Sequence, residues 1–376
     1  MVLGILGPAS PFRGGISQFL HNLADSLSSQ NEVIVFNFIH QYPRILFPGK
    51  NQTELLDKKH NYPIYRVLTP YNPLTWEKTA KSIINHKITH LIIKFWIPFF
   101  CPAYTYIIDY LKKHTNIKIS VLCHNIEFHE KWFFAECLVK RMLRSVDEVI
   151  VLSENVAAQA EKLVLKKKII KLFHPIYDVD IFKYHRDESL QFLQLPDKPT
   201  VLFVGYIKPY KGLDILLQSI PVVHQTNPEI LFVVAGEIYA KINKYKDFLD
   251  HRYPHIIFRN QYISLEEIPH YLNIADVVVV PYRTASQSGI VQIAYSYLKP
   301  IIASNIPGLQ EMVIENQTGF LFQSEDEKDL AEKIIRFFAE KGNIDFKSNI
   351  KENNKNYSWE KFASQLSISH HPKPYL

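Results

Sequence analysis

Two lysines stand three residues apart in the segment FVGYIKPYKGLD, with Gly205 closing an apolar run before them and Gly212 just after. Lys208 and Lys211 are flexible ammonium groups that suit a diphosphate as point charges, although solvated loop lysines are the commoner case. A second anion-binding candidate is Ser288-Gly289-Ile290, where a strand ending at Pro281 and a polar loop give way to a helix. The first amides of a helix lack partners within it, and the dipole favours negative charge there. A third candidate is Gly14-Gly15, between the first apolar run and a helix opening at Ile16-Ser17. That loop lacks the spaced glycines of a dinucleotide site, which disfavours a nicotinamide dehydrogenase. The alternative there is an ordinary strand-to-helix turn that needs glycine.

The segment CHNIEFHEK offers His124 and His129 with two glutamates. The histidines are five apart, not the four that put two ligands on one helix face, and no third ligand is suggested, so no metal is expected. His124 directly follows an apolar run and should project from a strand end, whereas His129 and Glu130 are expected to cap the next helix or meet an acceptor. That helix, KWFFAECLVKRMLRS, has Trp132, Phe133 and Phe134 near its start and Lys140, Arg141 and Arg144 near its end. Such a helix suits an anionic membrane surface. It equally suits a core stripe whose basic end complements the helix dipole.

These residues need elements to hold them, and short apolar runs alternate with helical patterns along the chain. VLGIL, EVIVFNF, THLIIKF, IKISVLC and DEVIVLS read as strands, with helices over 15–29, 103–113, 131–145 and 154–165. A second series follows with TVLFVGY, EILFVVA, HIIFR, DVVVVPY, PIIAS and GFLF, and with helices over 213–223 and 242–253 and after Ser264 and Ser288. Ser264 and Glu267 have capping-box spacing. This rhythm predicts α/β domains with parallel sheets and crossover helices, whose ligands lie at the carboxyl ends of the strands. The rhythm lapses near Asp178 to Pro199. Expected boundaries are therefore an N-terminal domain over 1–180, a linker over 181–198, a C-terminal domain over 199–355, and a segment over 356–376 returning to the first domain.

The whole chain of 376 residues is 47% apolar and 21% charged, long enough for two cores and too apolar for disorder. Residues 1–180 hold 22 Lys and Arg against 15 Asp and Glu, while the rest hold 21 against 22, so the basic excess lies in the first half. Together with the run Lys166-Lys167-Lys168, this field suits a phosphorylated ligand or an anionic membrane surface. Nucleic acid is not expected, since no nucleic-acid module appears. Cys101, Cys123 and Cys137 are scattered and odd in number, which predicts a reducing compartment and no disulfide framework. MVLGILGPAS lacks a basic leader region, and the apolar stretch over 95–108 is interrupted by Pro98 and Pro102. A cytoplasmic protein without a spanning helix is expected.

Taken in order, Gly14-Gly15, HNIEFHE, FVGYIKPYKG, ADVVVVPY, KPIIASNIPGLQE and NYSWEKFA resemble the retaining, nucleotide-sugar-dependent glycosyltransferases of family 4. The resemblance implies the GT-B architecture, two Rossmann-like doubly wound domains facing a central cleft. It implies that Gly14, Gly15 and Lys211 meet the donor diphosphate, with Lys208 adding charge, and that amides near Gly289, Ile290 and Val291 meet the distal phosphate. His124 would lie against the donor sugar. Gly205, Tyr206, Ser286, Gln287, Ser288, Gln292 and Glu311 complete the implied donor site, and backbone groups around Asn260-Gln261-Tyr262 would meet the base. Two departures stand out. The family's pair of glutamates, eight positions apart, is replaced by Ser286 and Ala294, so the ribose contact is either absent or supplied by a neighbour such as Gln292 or Tyr295. Tyr206 stands where many members have arginine. The SQSG variant resembles a bacterial subgroup that also carries the HN…HE segment. Implied partners are a nucleotide sugar and a glycan or lipid-linked acceptor, with no metal or other cofactor. A non-catalytic nucleotide-sugar-binding protein and a sugar-nucleotide epimerase are the alternatives.

Overall fold

The computed structural model describes residues 1–43, 52–53, 60–126, 134–177, 179, 183–239, 245, 253–264 and 266–368. The expectations for His129, Glu130, Trp132 and Phe133 lie outside them, as does the helix expected over 242–253 apart from Tyr245 and Tyr253. The chain forms two compact units, Met1–His174 with the segment from Trp359, and Pro175–Ser358.

In the first unit the order is β1 (Val2–Leu6), α1 (Gly15–Ser28), β2 (Glu32–Phe38), β3 (Ile64–Leu68), α2 (Leu74–Asn85), β4 (His90–Phe95), α3 (Cys101–His114), β5 (Lys118–Cys123), α4 (Ala135–Ser145), β6 (Glu148–Val151), α5 (Glu154–Leu163) and β7 (Lys168–Lys171). All strands pair in parallel in the order β3-β2-β1-β4-β5-β6-β7. Burial on both faces explains why the central strands read as unbroken apolar runs. On one face Ile5, Ile92, Leu122 and Ile150 pack under Phe19, Leu20 and Leu23 of α1. On the other, Leu91, Ile93, Val121 and Val149 meet Ile83, Ile107 and Met142.

The second unit runs through α6 (Arg186–Leu193), β8 (Thr200–Val204), α7 (Leu213–Thr226), β9 (Leu231–Ala235), β10 (Ile256–Arg259), α8 (Ile268–Ile274), β11 (Val277–Val280), α9 (Gly289–Ser296), β12 (Ile301–Ser304), α10 (Pro307–Gln310), β13 (Gly319–Phe322), α11 (Glu327–Glu340) and α12 (Phe346–Asn354). Its parallel sheet has the order β10-β9-β8-β11-β12-β13. Within the stretch expected as a linker, α6 places Leu190 and Leu193 in this unit's core. Two apolar residues three apart suffice to bury one face of so short a helix. Ser264 and Glu267 bond reciprocally, Ser264 N to Glu267 Oε2 at 2.9 Å and Glu267 N to Ser264 Oγ at 3.2 Å.

A last helix, α13 (Trp359–Ile368), packs Trp359, Phe362 and Leu366 onto the first unit beside α1. Ser26 Oγ fastens it by donating to Trp359 O at 3.0 Å. The fold is thus α/β with two parallel sheets, and each strand order turns once: between β1 and β4, and between β8 and β11. Those turning points are where open α/β sheets bind ligands.

Candidate functional site

Two loops meet at the turning point of the second unit. Gly205 follows β8 with φ 108°, a conformation side chains resist. A β-carbon on it would lie 3.1 Å from Ile290 Cδ1 and 3.4 Å from Lys211 Nζ. The end of β8, the lysine and the first turn of α9 therefore converge on one spot. Gly212, with φ 64°, lets the other loop approach: a β-carbon there would sit 1.9 Å from the carbonyl oxygen of Pro281.

Lys211 ends a single 3-10 turn over Pro209–Lys211, and its Nζ lies 5.2 Å from the centre of the Tyr282 ring. Burial pushes its pKa down. Among the described residues no carboxylate pairs with it. Lys211 is half-buried, and an ammonium group partly removed from water is ordinarily paired, so this one suits a ligand anion.

Helix α9 starts beside it. Ser288 caps the helix by accepting from Val291 N at 3.4 Å, and no acidic residue occupies the first turn. Of the three amides expected to meet an anion, that of Val291 is therefore already engaged, which leaves Gly289 and Ile290 at the helix mouth. Gly308 supports the preceding loop, since a β-carbon on it would be 2.1 Å from the Ala285 carbonyl oxygen. Ser286, Ser288 and Gln292 are buried, Gln287 lies in the same loop, and Glu311 is exposed at the end of α10. Ala294 faces the core, fully buried, and Tyr295 turns its hydroxyl inward to Met312 O at 3.0 Å and Thr318 Oγ1 at 2.8 Å. Tyr295 is thus committed to the interior, and Gln292 remains the candidate to replace the missing carboxylate.

Lys208 and Tyr206 lie against a cluster of tyrosines. Tyr206 stacks on Tyr239 at 5.0 Å and on Tyr262 at 6.0 Å, and Lys208 Nζ lies 5.9 Å from the Tyr239 ring centre.

Sequence reasoning passed over two residues here. Arg283 holds the Lys211 turn, donating from Nη1 to Pro209 O at 2.9 Å while its backbone N–H donates to Tyr210 O at 2.7 Å. Its only sequence signal is its place three residues past a strand end. Tyr177 lies along α9, its N–H donating to Ser296 Oγ at 2.9 Å and its hydroxyl 3.7 Å from where a Gly289 β-carbon would be.

In the first unit, Gly14 has φ 102° and α1 begins with neither a side-chain cap nor an acidic residue in its first turn. In chain order α1 follows β1, one of the two strands at the turning point of that sheet, so its N-terminus is the one the sequence singled out as an anion candidate. Asn37 on β2 pins the loop, accepting from Ala9 N and donating to Ala9 O, both at 3.0 Å, and Ser10 N donates to His21 Nε2 at 2.8 Å. His124 stands at the end of β5, buried, with its N–H donating to Phe95 O at 3.1 Å. Its ring meets Phe19 edge-on at 4.7 Å, and its Nε2 contacts Lys94 Nζ. Burial, then Lys94, then His174 hold its pKa well below the ordinary 6.5, so the imidazole is neutral at pH 7.

Elsewhere in this unit several basic residues are engaged locally. Arg141 meets Asp109 at 3.3 Å, Lys168 meets Glu148, and Lys167 donates to Arg144 O at 3.0 Å. Among the described residues no helix is long and apolar enough to cross a membrane, and no cluster of three His, Cys, Asp or Glu could hold a metal ion.

Residues 185–357 match the family described as glycosyl transferases group 1. Spore coat protein SA of Bacillus subtilis is 25% identical, the match covering 96% of this chain and 95% of that protein. A GDP-mannose-dependent alpha-(1-6)-phosphatidylinositol monomannoside mannosyltransferase of Mycolicibacterium smegmatis is 24% identical, covering 84% and 83%. Among solved structures, sucrose-phosphate synthase of Thermosynechococcus elongatus superposes with a TM-score of 0.76 at 18% identity, covering 98% of both chains. HepE of Anabaena in complex with UDP gives 0.76 at 15% identity, covering 98% of this chain and 99% of that one. The chain thus has a GT-B fold over nearly its whole length, and its residues 185–357 are similar to the glycosyl transferases group 1 family.

Proposed function

We propose that this protein moves a sugar from a nucleoside diphosphate sugar to an acceptor hydroxyl, with retention at the anomeric carbon, in polysaccharide or glycolipid assembly in the cytoplasm. The observation that carries the reading is the half-buried Lys211, its ammonium disfavoured by burial and without a carboxylate partner among the described residues, beside the first turn of α9. Charge builds on the departing diphosphate as the sugar–oxygen bond breaks, and a cation and helix amides already in place stabilise it without reorganisation. These groups need no metal to do so. As the acceptor oxygen bonds to the anomeric carbon on the same face, the leaving phosphate oxygen takes the acceptor's proton, so no acid–base carboxylate pair is required. His124 lies against the donor sugar in this reading. The acceptor is a glycan or a lipid-linked glycan, and the basic first unit suits an anionic membrane surface. The relatives named for a mannosyltransferase and a spore coat protein support the reading, as does the neighbour solved with UDP.

The test is a titration with a panel of nucleoside diphosphates and their sugars, in EDTA, followed by melting temperature and then by transfer assay. A selective rise with one donor, followed by transfer, supports the reading. Binding without hydrolysis or transfer supports a non-catalytic donor-binding protein, which the core-facing Ala294 favours. No binding to any member overturns both.

A further inference from the structure

The carboxyl end of β4 holds a buried amine. Lys94 is fully buried, on the sheet face that carries Ile92 under α1. Gly7 makes room for it, since a β-carbon there would lie 2.8 Å from Lys94 Cβ and 2.7 Å from Leu20 Cδ1. Lys94 Nζ sits 3.4 Å from the centre of the Phe19 ring and against His124 Nε2. Phe19 in turn meets His124 and His174 edge-on at 4.7 Å and 5.1 Å, so the two groups against the amine belong to one aromatic cluster. Among the described residues no carboxylate pairs with it.

A buried amine without a counter-charge costs stability. Replacing it by an apolar residue would remove that cost, so its contact with His124 is the feature to explain. Two bases in contact in a dry site hold at most one extra proton between them. Burial lowers the pKa of Lys94 well below its ordinary value, and burial, Lys94 and His174 lower that of His124. Of the titratable groups nearby, Lys94 faces the imidazole from β4 and His174 from the segment after β7. Cys123, beside Lys94, has its thiol pushed up to about 12 by burial and stays neutral. Both the ammonium and the neutral amine donate, and a neutral imidazole has one nitrogen that accepts.

We propose that Lys94 is a positioning residue for His124, its amine donating to Nε2 so that the imidazole carries its own proton on Nδ1 and keeps one orientation. The inference rests on the reading of His124 as the residue against the donor sugar, where Nδ1–H is the group that donates to a sugar oxygen. Lys94 acts at one remove, through the ring.

The test uses the full chain with isotope-labelled histidine nitrogens, His124 being assigned by its disappearance in His124→Gln. In the wild type at neutral pH the expected spectrum has a bare Nε2 and a protonated Nδ1. A proton on Nε2 overturns the proposal without recourse to any variant. Lys94→Met fills similar space without a donor. It should lose the single tautomer and move the titration of His124 toward 6.5, whereas an unchanged His124 signal overturns the contact's role. In transfer assays Lys94→Met should lower turnover about 100-fold with little change in donor KM, and Lys94→Arg, which keeps N–H donors, should recover part of it. Turnover equal to wild type overturns the positioning role. If the wild type transfers no sugar at all, the proposed function fails, while the spectrum still decides the Lys94–His124 contact.

Discussion

Arg283 grips Asp214 with both prongs of its guanidinium, Nη1 to Oδ1 at 2.9 Å and Nη2 to Oδ2 at 3.0 Å, and so joins the end of β11 to the start of α7. The same side chain reaches Glu325 Oε2 at 3.0 Å and the Pro209 carbonyl. One residue thus fixes the turn that presents Lys211. Charge-assisted bonds are worth about 1.5–3 kcal/mol each, and solvent weakens a pair this open, so Arg283→Ala should cost about 2 kcal/mol in denaturant unfolding. Arg283→Lys cannot fork and should recover less than half. Displacing the Lys211 turn should also weaken nucleoside diphosphate binding by about tenfold. Unchanged affinity in Arg283→Ala would show that Lys211 keeps its place unaided.

The two loops also depend on Gly212. An alanine there would press its β-carbon to 1.9 Å from the Pro281 carbonyl oxygen while holding φ at 64°. Gly212→Ala should therefore lower stability by at least about 2 kcal/mol. Gly342 is the control, because a β-carbon there meets nothing within 4 Å. Gly342→Ala should leave the unfolding free energy within about 0.5 kcal/mol of wild type. Equal effects at the two positions would refute the close approach.

Lys211→Met separates binding from folding. The folded state bears the cost of burying this ammonium, so an apolar side chain of similar length should leave melting unchanged or higher. Diphosphate affinity and turnover should fall at least about 100-fold. In the wild type, affinity should weaken as pH rises through the lowered pKa of Lys211, because the deprotonated amine no longer attracts an anion. Isothermal titration across alkaline pH, wild type beside Lys211→Met, reads both effects. A variant that melts far lower and binds as well would mean that Lys211 is a structural residue.

How legible these features were in the sequence follows from where their partners lie. The strands buried on both faces announce themselves as apolar runs. By contrast, β3, at a sheet edge, leaves Tyr65 and Arg66 exposed, and α2 buries only Thr79, Ala80 and Ile83, so neither stood out. Gly205, Gly212 and Ser288 could be read locally because backbone geometry and capping act over a few residues. Lys94 could not: it looks like the polar end of an apolar run, and its meaning lies in a histidine 30 residues away. Arg283 draws its role from Asp214, 69 residues earlier. Contacts at such separation leave no periodicity to detect.

Acid should expose His124 thermodynamically. Burial comes first among the causes that lower the pKa values of His124, His255 and His270, followed by Lys94, by His224 and by Lys183 respectively. As pH falls through 6.5, imidazoles in the unfolded chain take protons that the folded chain refuses. Stability from these groups is therefore whole above that pH and is lost as pH falls toward the folded values. The urea midpoint should drop between about pH 6.5 and 5. His124→Phe removes the most strongly shifted of the three and should flatten the slope by up to about 1.4 kcal/mol per pH unit. Its absolute stability is a poor guide, since Lys94 would lose its partner. The slope isolates the proton, and a variant that loses stability with pH as steeply as the wild type would mean that His124 is protonated within the fold.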